Sequence, residues 1–385
     1  MNTTRLSSMK TIYLDYAAAT PLDKSVLEHM LPFLTEDFYN PNANYLKANQ
    51  VKSKVNQARK DIAIILGSRS NEIIFTTGGT EGNNIAIKGV MENFPESNML
   101  YAATEHDAVI SPAKNYSHKE IKVSEKGILD LDDLKNKIDE NTVLVSVMYV
   151  NNEIGVINKL KDVAEIINKV REDRAKNNNP LPLYLHSDAS QAPNLLSLIV
   201  DRLGVDLMTL NGGKIYGPKQ SGALYIRTGT KLKPIIEGGG QEDGIRSGTL
   251  NPANIIGFAE SLKLANDLRK SEEKRLHNLT SNLIDKLLNN SKISLNGPTK
   301  NRAMNNINIC IDGVDNETLI YKLDQKGIMV ASGSACSASD QEPSHVLRAI
   351  GLSDEKSRES IRISIGRNTT KEDLEYFYET LMELI

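Results

Sequence analysis

Two segments carry residues able to do covalent chemistry. Leu210-Asn-Gly-Gly-Lys214-Ile-Tyr-Gly-Pro-Lys219 sets a lysine behind two glycines. Glycines let the chain approach a ligand closely, and a lysine in a crevice near other cations has a lowered pKa and can form a Schiff base. A solvated surface lysine fits the same spacing. Lys219 is the local competitor, although its Gly-Pro neighbours read as a turn. Ala331-Ser-Gly-Ser-Ala-Cys336-Ser-Ala-Ser-Asp340 places a thiol in a run of small polar residues. That composition predicts a mobile, accessible loop, which suits a nucleophile. Cys310 instead sits in an apolar strand pattern, where a buried and inert thiol is expected.

Two further segments carry charge and hydrogen-bonding groups. Phe75-Thr-Thr-Gly-Gly-Thr80-Glu follows a strand pattern and precedes a helical one. Small residues at such a turn leave backbone N–H groups facing an anion, and the helix N-terminus adds partial positive charge. A tight turn with a Thr cap explains the same residues without a ligand. His186-Ser-Asp188-Ala-Ser-Gln191 delivers an acid to a strand end, in the crevice where α/β folds bind ligands. A carboxylate there can pair with a protonated pyridine nitrogen and hold the ring as an electron sink. An N-cap aspartate is the plainer reading of the same position.

The elements that must position these residues follow from periodicity. Short apolar runs at Glu72–Thr76, Met99–Ala103, Thr142–Tyr149, Leu183–Ser187, Asp206–Leu210 and Ala223–Ile226 predict buried strands. Helix-period patterns lie between them, as in Val51, Val55, Ala58, Ile62 and Ile65, and again in Val163, Ile166, Ile167 and Val170. This alternation predicts an α/β domain with a largely parallel sheet. After about residue 255 the pattern changes to a long helix marked by Leu262, Leu268, Leu276, Leu279, Leu283 and Leu287. Strands at Asn306–Ile311 and Ile361–Ile365 and a helix near Glu317–Lys326 then predict a smaller α+β domain.

The chain has 385 residues, 39% hydrophobic and 25% charged, with a net charge of −3. No global basic field points to nucleic acid, and no apolar run is long enough for a membrane helix. Two cysteines make no disulfide framework, and none has metal-binding spacing, so a reducing, cytoplasmic setting is expected.

Taken together and in this order, the segments resemble the cysteine desulfurases of the NifS/IscS type, within the fold-type I pyridoxal 5'-phosphate (PLP) enzymes. The resemblance runs from about Ile12 to the C-terminus. It includes Tyr13-Leu-Asp-Tyr-Ala-Ala-Ala-Thr-Pro21, Thr104-Glu-His106, Val150-Asn-Asn152-Glu-Ile-Gly155, Gly238-Gly-Gly-Gln-Glu242, Arg246-Ser-Gly-Thr249, Glu342-Pro-Ser-His-Val-Leu-Arg348 and Ser360-Ile-Arg362. It implies a large domain over residues 17–256 with a mostly parallel, seven-stranded-type sheet between helices. Residues 1–16 and 257–385 would form the small domain and carry the cysteine loop at about 330–342.

The roles implied by the resemblance are specific. Lys214 would bind PLP and move protons, Asp188 would pair with the pyridine nitrogen, and His106 would stack on the ring and also transfer protons as a catalytic residue. Asn152 and Gln191 would contact the ring's polar atoms. The turn at Gly79 and Thr80, with Asn211 and Gly213, would hold the phosphate, and Thr249 would reach the phosphate of a neighbouring subunit in a homodimer. Arg362, with Asn152, would bind the carboxylate of L-cysteine, and Cys336 would take its sulfur as a persulfide, leaving L-alanine. The sulfur would pass to an acceptor protein of iron–sulfur cluster assembly or tRNA thiolation. Two departures from the family pattern stand out. Asn211 and Gly213 replace a Ser-x-His pair of phosphate donors, and Asn40-Pro-Asn-Ala-Asn-Tyr-Leu-Lys-Ala-Asn49 lacks the family's His and closing Gly. A selenocysteine lyase, another PLP reaction, or a catalytically weak scaffold of sulfur-transfer partners are the alternative readings.

Overall fold

The computed structural model describes residues 11–333 and 342–385. In chain order the strands are β1 (Ile12–Tyr13), β2 (Ile73–Thr76), β3 (Asn98–Ala102), β4 (Ser117–Ile121), β5 (Thr142–Ser146), β6 (Tyr184–Asp188), β7 (Leu207–Asn211), β8 (Gly222–Ile226), β9 (Ile293–Leu295), β10 (Asn306–Ile311), β11 (Ile328–Met329) and β12 (Ser360–Ser364). The predicted strands all form. Of the other four, β1 lies in the extended segment Thr11–Asp15, and β4, β9 and β11 are not predicted by an apolar run. β4 is an edge strand whose residues Ser117-His-Lys-Glu are largely exposed, so it carries no buried apolar run. β9 and β11 are only 3 and 2 residues long.

Seven strands form the main sheet in the order β2-β8-β7-β6-β5-β3-β4. β8 runs antiparallel to both its neighbours, and the other pairings are parallel. All strands except β8 therefore end on the same edge of the sheet. The turns that follow β2, β3, β5, β6 and β7 are brought together there, which is where open α/β sheets bind ligands. A second sheet, β12-β10-β9, is antiparallel, and β1 pairs with β11.

The helix Pro252–Leu287 starts at an Asn251 cap and has proline in its first turn, where the missing N–H costs nothing. It runs without a break through the expected domain boundary at 256/257. One apolar cluster includes Ile62, Leu210, Leu262, Ile309 and Phe377, so the core is shared by residues on both sides of that boundary. The helices Leu46–Leu66 and Leu160–Lys176 match the predicted patterns and bury Val51, Val55, Ala58 and Ile62 in the first, and Val163 and Ile167 in the second. Among the described residues no helix is long and apolar enough to cross a membrane.

A histidine pins the centre of the main sheet. His186 on β6 is fully buried, with Nδ1 2.8 Å from Ser146 Oγ on β5 and Nε2 3.0 Å from Thr209 Oγ1 on β7. Burial pushes its pKa down to about 4, with Asp188 opposing the shift. The imidazole is therefore neutral in the fold, whereas the unfolded chain takes up a proton near pH 6.5. Its contribution to stability is present above about pH 6.5 and is lost as pH falls toward 4. Thermal melts across that window should show a shallower loss of Tm for His186→Gln than for the wild type. Equal slopes would contradict a neutral His186.

Candidate active site

The pocket lies at the shared edge of the main sheet. Its lining includes Gly79, Thr80, His106, Asn152, Asp188, Gln191, Asn211, Lys214 and Arg362. Nearly all the residues expected at the site thus meet in one place.

One end of the pocket is built to hold an anion. β2 leads into Gly78, whose φ of 127° is open only to glycine, and the helix Gly79–Met91 begins at once. The N–H groups of its first turn face outward from the helix, and the dipole favours negative charge there. A Cβ on Gly79 would stand 3.0 Å from Ser190 Oγ and 3.4 Å from Asn211 Nδ2, so these polar atoms converge on the same cup. Ser190 Oγ is buried with no hydrogen-bond partner. A buried hydroxyl is costly to leave unpaired, and a phosphate oxygen would satisfy it.

The floor carries a buried acid. Asp188 ends β6 and is 7% exposed. Its Oδ2 accepts from Asn83 Nδ2 at 2.6 Å and its Oδ1 from the Ser190 N–H at 2.9 Å. These donors are neutral, so a cationic group of a ligand would offset the desolvation of this carboxylate. Ser190 and Asn83 had no role in the sequence reading. Ser190 sits two residues after Asp188, the spacing at which an aspartate accepts a backbone N–H, and that was the only local signal.

Lys214 follows β7 in the turn Gly212–Lys214. Its Nζ donates to Ala17 O at 3.0 Å and Ala18 O at 2.6 Å, and Gln191 Nε2 donates to Ala17 O at 2.9 Å. Lys219 instead donates to Thr20 O and does not line this pocket, whereas Lys214 does. His106 caps the helix Asp107–Ala113. Its Nδ1 accepts the Ala108 N–H at 3.0 Å, which leaves Nε2 to carry the ring proton of the neutral imidazole. Arg362 on β12 is 1% exposed. It pairs with Asp15 at 2.6 Å and donates to Asn152 O at 3.2 Å, while its Nε has no hydrogen-bond partner.

Two expected residues, Gly213 and Thr249, stand elsewhere among the described residues. Gly213 is not in the lining, because its N–H donates to Asn211 Oδ1 at 3.0 Å and its carbonyl accepts from Thr20. The Gly213 N–H is thus engaged within the turn, and the same bond holds the Asn211 side chain. Thr249 lines a separate depression with Thr77, Arg246 and Asn251. Cys336 lies outside the described residues. Cys310 is 2% exposed within β10, and burial pushes its thiol pKa up, as an inert cysteine requires.

The residues fit PLP. The cup could take a phosphate, Asp188 could face a protonated ring nitrogen, and Lys214 could offer an amine to the aldehyde.

Comparison with known proteins gives the same direction. The aminotransferase class-V family matches residues 12–377. The chain is 41% identical to the cysteine desulfurase IscS of Dictyoglomus turgidum, over 98% of this chain and 95% of that protein. It is 38% identical to the IscS of Methanosarcina thermophila, over 98% and 92%. Among solved structures, a NifS-like protein from Rickettsia africae superposes with a TM-score of 0.87 at 30% identity, covering 97% of this chain and 99% of that one. SspA, solved in complex with cysteine, gives 0.78 at 31% identity, covering 92% and 99%. With a family match over nearly its whole length, and with the lysine, the acid and the anion cup in one pocket, this chain belongs to the aminotransferase class-V family.

Proposed function

We propose that this chain is a PLP-dependent cysteine desulfurase that converts L-cysteine to L-alanine and loads the sulfur onto Cys336. The observation that carries the proposal is the convergence of Lys214, Asp188, His106 and Arg362 on one pocket beside an anion cup. The names of its relatives and the cysteine bound to SspA support the substrate.

PLP, when bound, supplies an electron sink that makes the substrate Cα proton removable. The first turn of the helix Gly79–Met91, with Ser190 Oγ and Asn211 Nδ2, holds the phosphate. Asp188 keeps the ring nitrogen protonated, and Asn83 and the Ser190 N–H fix the orientation of its carboxylate. His106 presents its imidazole to the ring. Asn152 and Gln191 contact the ring's polar groups. Arg362 binds the substrate carboxylate through the part of its guanidinium not engaged by Asp15 and Asn152. Lys214 Nζ would hold the cofactor's aldehyde and, with substrate bound, would carry the Cα proton.

Cys336 acts as thiolate on the substrate sulfur. A sulfur–sulfur bond forms as the Cβ–S bond breaks, the electron pair stays with carbon, and a proton completes alanine. The persulfide on Cys336 then serves an acceptor protein of iron–sulfur cluster assembly or tRNA thiolation. The position of Thr249, outside the pocket of its own chain, supports a homodimer in which it serves the partner's phosphate.

Cys336→Ser should bring alanine formation down to background while PLP content stays at the wild-type level. Alanine made at the wild-type rate would remove Cys336 from the reaction. Arg362→Lys keeps the charge but loses the planar fork. It should raise KM for cysteine roughly tenfold, about 1.4 kcal/mol, with PLP content unchanged. An unaltered KM would place the substrate carboxylate elsewhere.

A further inference from the structure

Next to His106, behind the pocket wall, Glu105 is completely buried. Its Oε1 accepts the Met148 N–H at 2.5 Å, and its Oε2 has no hydrogen-bond partner. Among the described residues no lysine or arginine makes an ion pair with it. The titratable groups around it are His106 on its own turn, His345, whose Nε2 donates to the Glu105 carbonyl at 2.8 Å, and Asp188 from β6. An ionised Glu105 would be a second buried anion near Asp188, with one backbone donor and no counter-charge. Burial, with Asp188 adding to it, pushes its pKa well above the carboxylate range.

The reason for an acid here lies in the sheet. Beyond β5, Val147 and Tyr149 donate their N–H groups to His186 O and Asp188 O on the β6 side. The Met148 N–H points the other way, toward the side that β3 would cover. The chain has already turned away there, since Ala103 donates to Ile121 O on β4. Glu105 Oε1 supplies the acceptor that the missing strand does not, and Met148 lines the pocket.

We propose that Glu105 is held as an uncharged carboxylic acid and is a positioning residue: it braces Met148 in the pocket wall and leaves Asp188, among the described residues, the single anion facing the cofactor ring. The role of Asp188 in this statement rests on the function proposed above, whereas the protonation and the brace do not.

The test uses the PLP-loaded enzyme and needs no turnover. A neutral Glu105 in the fold holds a proton that the unfolded chain releases above about pH 4.3. Wild type must therefore lose stability relative to Glu105→Gln as pH rises. The Tm advantage of the Gln variant should widen steadily from about pH 5 to pH 8. A gap that stays constant, narrows or reverses would overturn the proposal, as would a Gln variant that does not fold, because Gln mimics the neutral acid.

At neutral pH the infrared difference between wild type and Glu105→Gln should contain the C=O stretch of a protonated carboxyl. Carboxylate bands in its place would also overturn the proposal. Glu105→Leu, which leaves the Met148 N–H unpaired, should weaken PLP affinity about tenfold, with Gln restoring it. Equal affinity in the Leu variant would reject the bracing role. A protein that makes no alanine yet passes these tests would refute the desulfurase reading alone.

Discussion

The structure is organised around one buried carboxylate. Asp188 ends a central strand and is surrounded by neutral partners, Asn83, the Ser190 N–H and the unprotonated His186. A buried anion in such company is costly unless a cation meets it. The pocket opens beside it, where a cationic group of a ligand can meet it. The neutral histidine below keeps the charge of Asp188 from being cancelled from within the protein.

The rest of the site arranges complementary charge around that anion. The helix N-terminus at Gly79 and the unpartnered Ser190 hydroxyl attract negative charge at one end of the pocket. Arg362, from the small antiparallel sheet, brings a positive charge. Lys214 stands with its amine against the carbonyls of Ala17 and Ala18, which follow β1. The N-terminal strand, the small sheet and the main sheet therefore all border the pocket, and their shared apolar core keeps them in register. A ligand with an anionic tail, a cationic ring nitrogen and a reactive carbonyl satisfies each feature at once.

Much of this was legible in the sequence, for physical reasons that differ by residue. Strands buried on both faces read as apolar runs, and Lys214, Asp188 and the Gly79 turn sit just after them, where motif spacing is rigid. The edge strand β4 was missed because exposure leaves it polar. Asn83, Ser190 and Glu105 acquire their roles only through contacts across the fold, as between Asn83 and Asp188, which are 105 residues apart. The local bond from the Gly213 N–H to Asn211 depends on the turn geometry, which composition does not reveal. The helix Pro252–Leu287 shows that a change in pattern near residue 255 marks a change in neighbours, not a break in the chain.

The most direct measurement is to reduce the PLP-loaded enzyme with borohydride and map the modified peptide by mass spectrometry. The account predicts a single phosphopyridoxyl group on Lys214. A label on Lys219 or any other lysine, or no label at all, would contradict it.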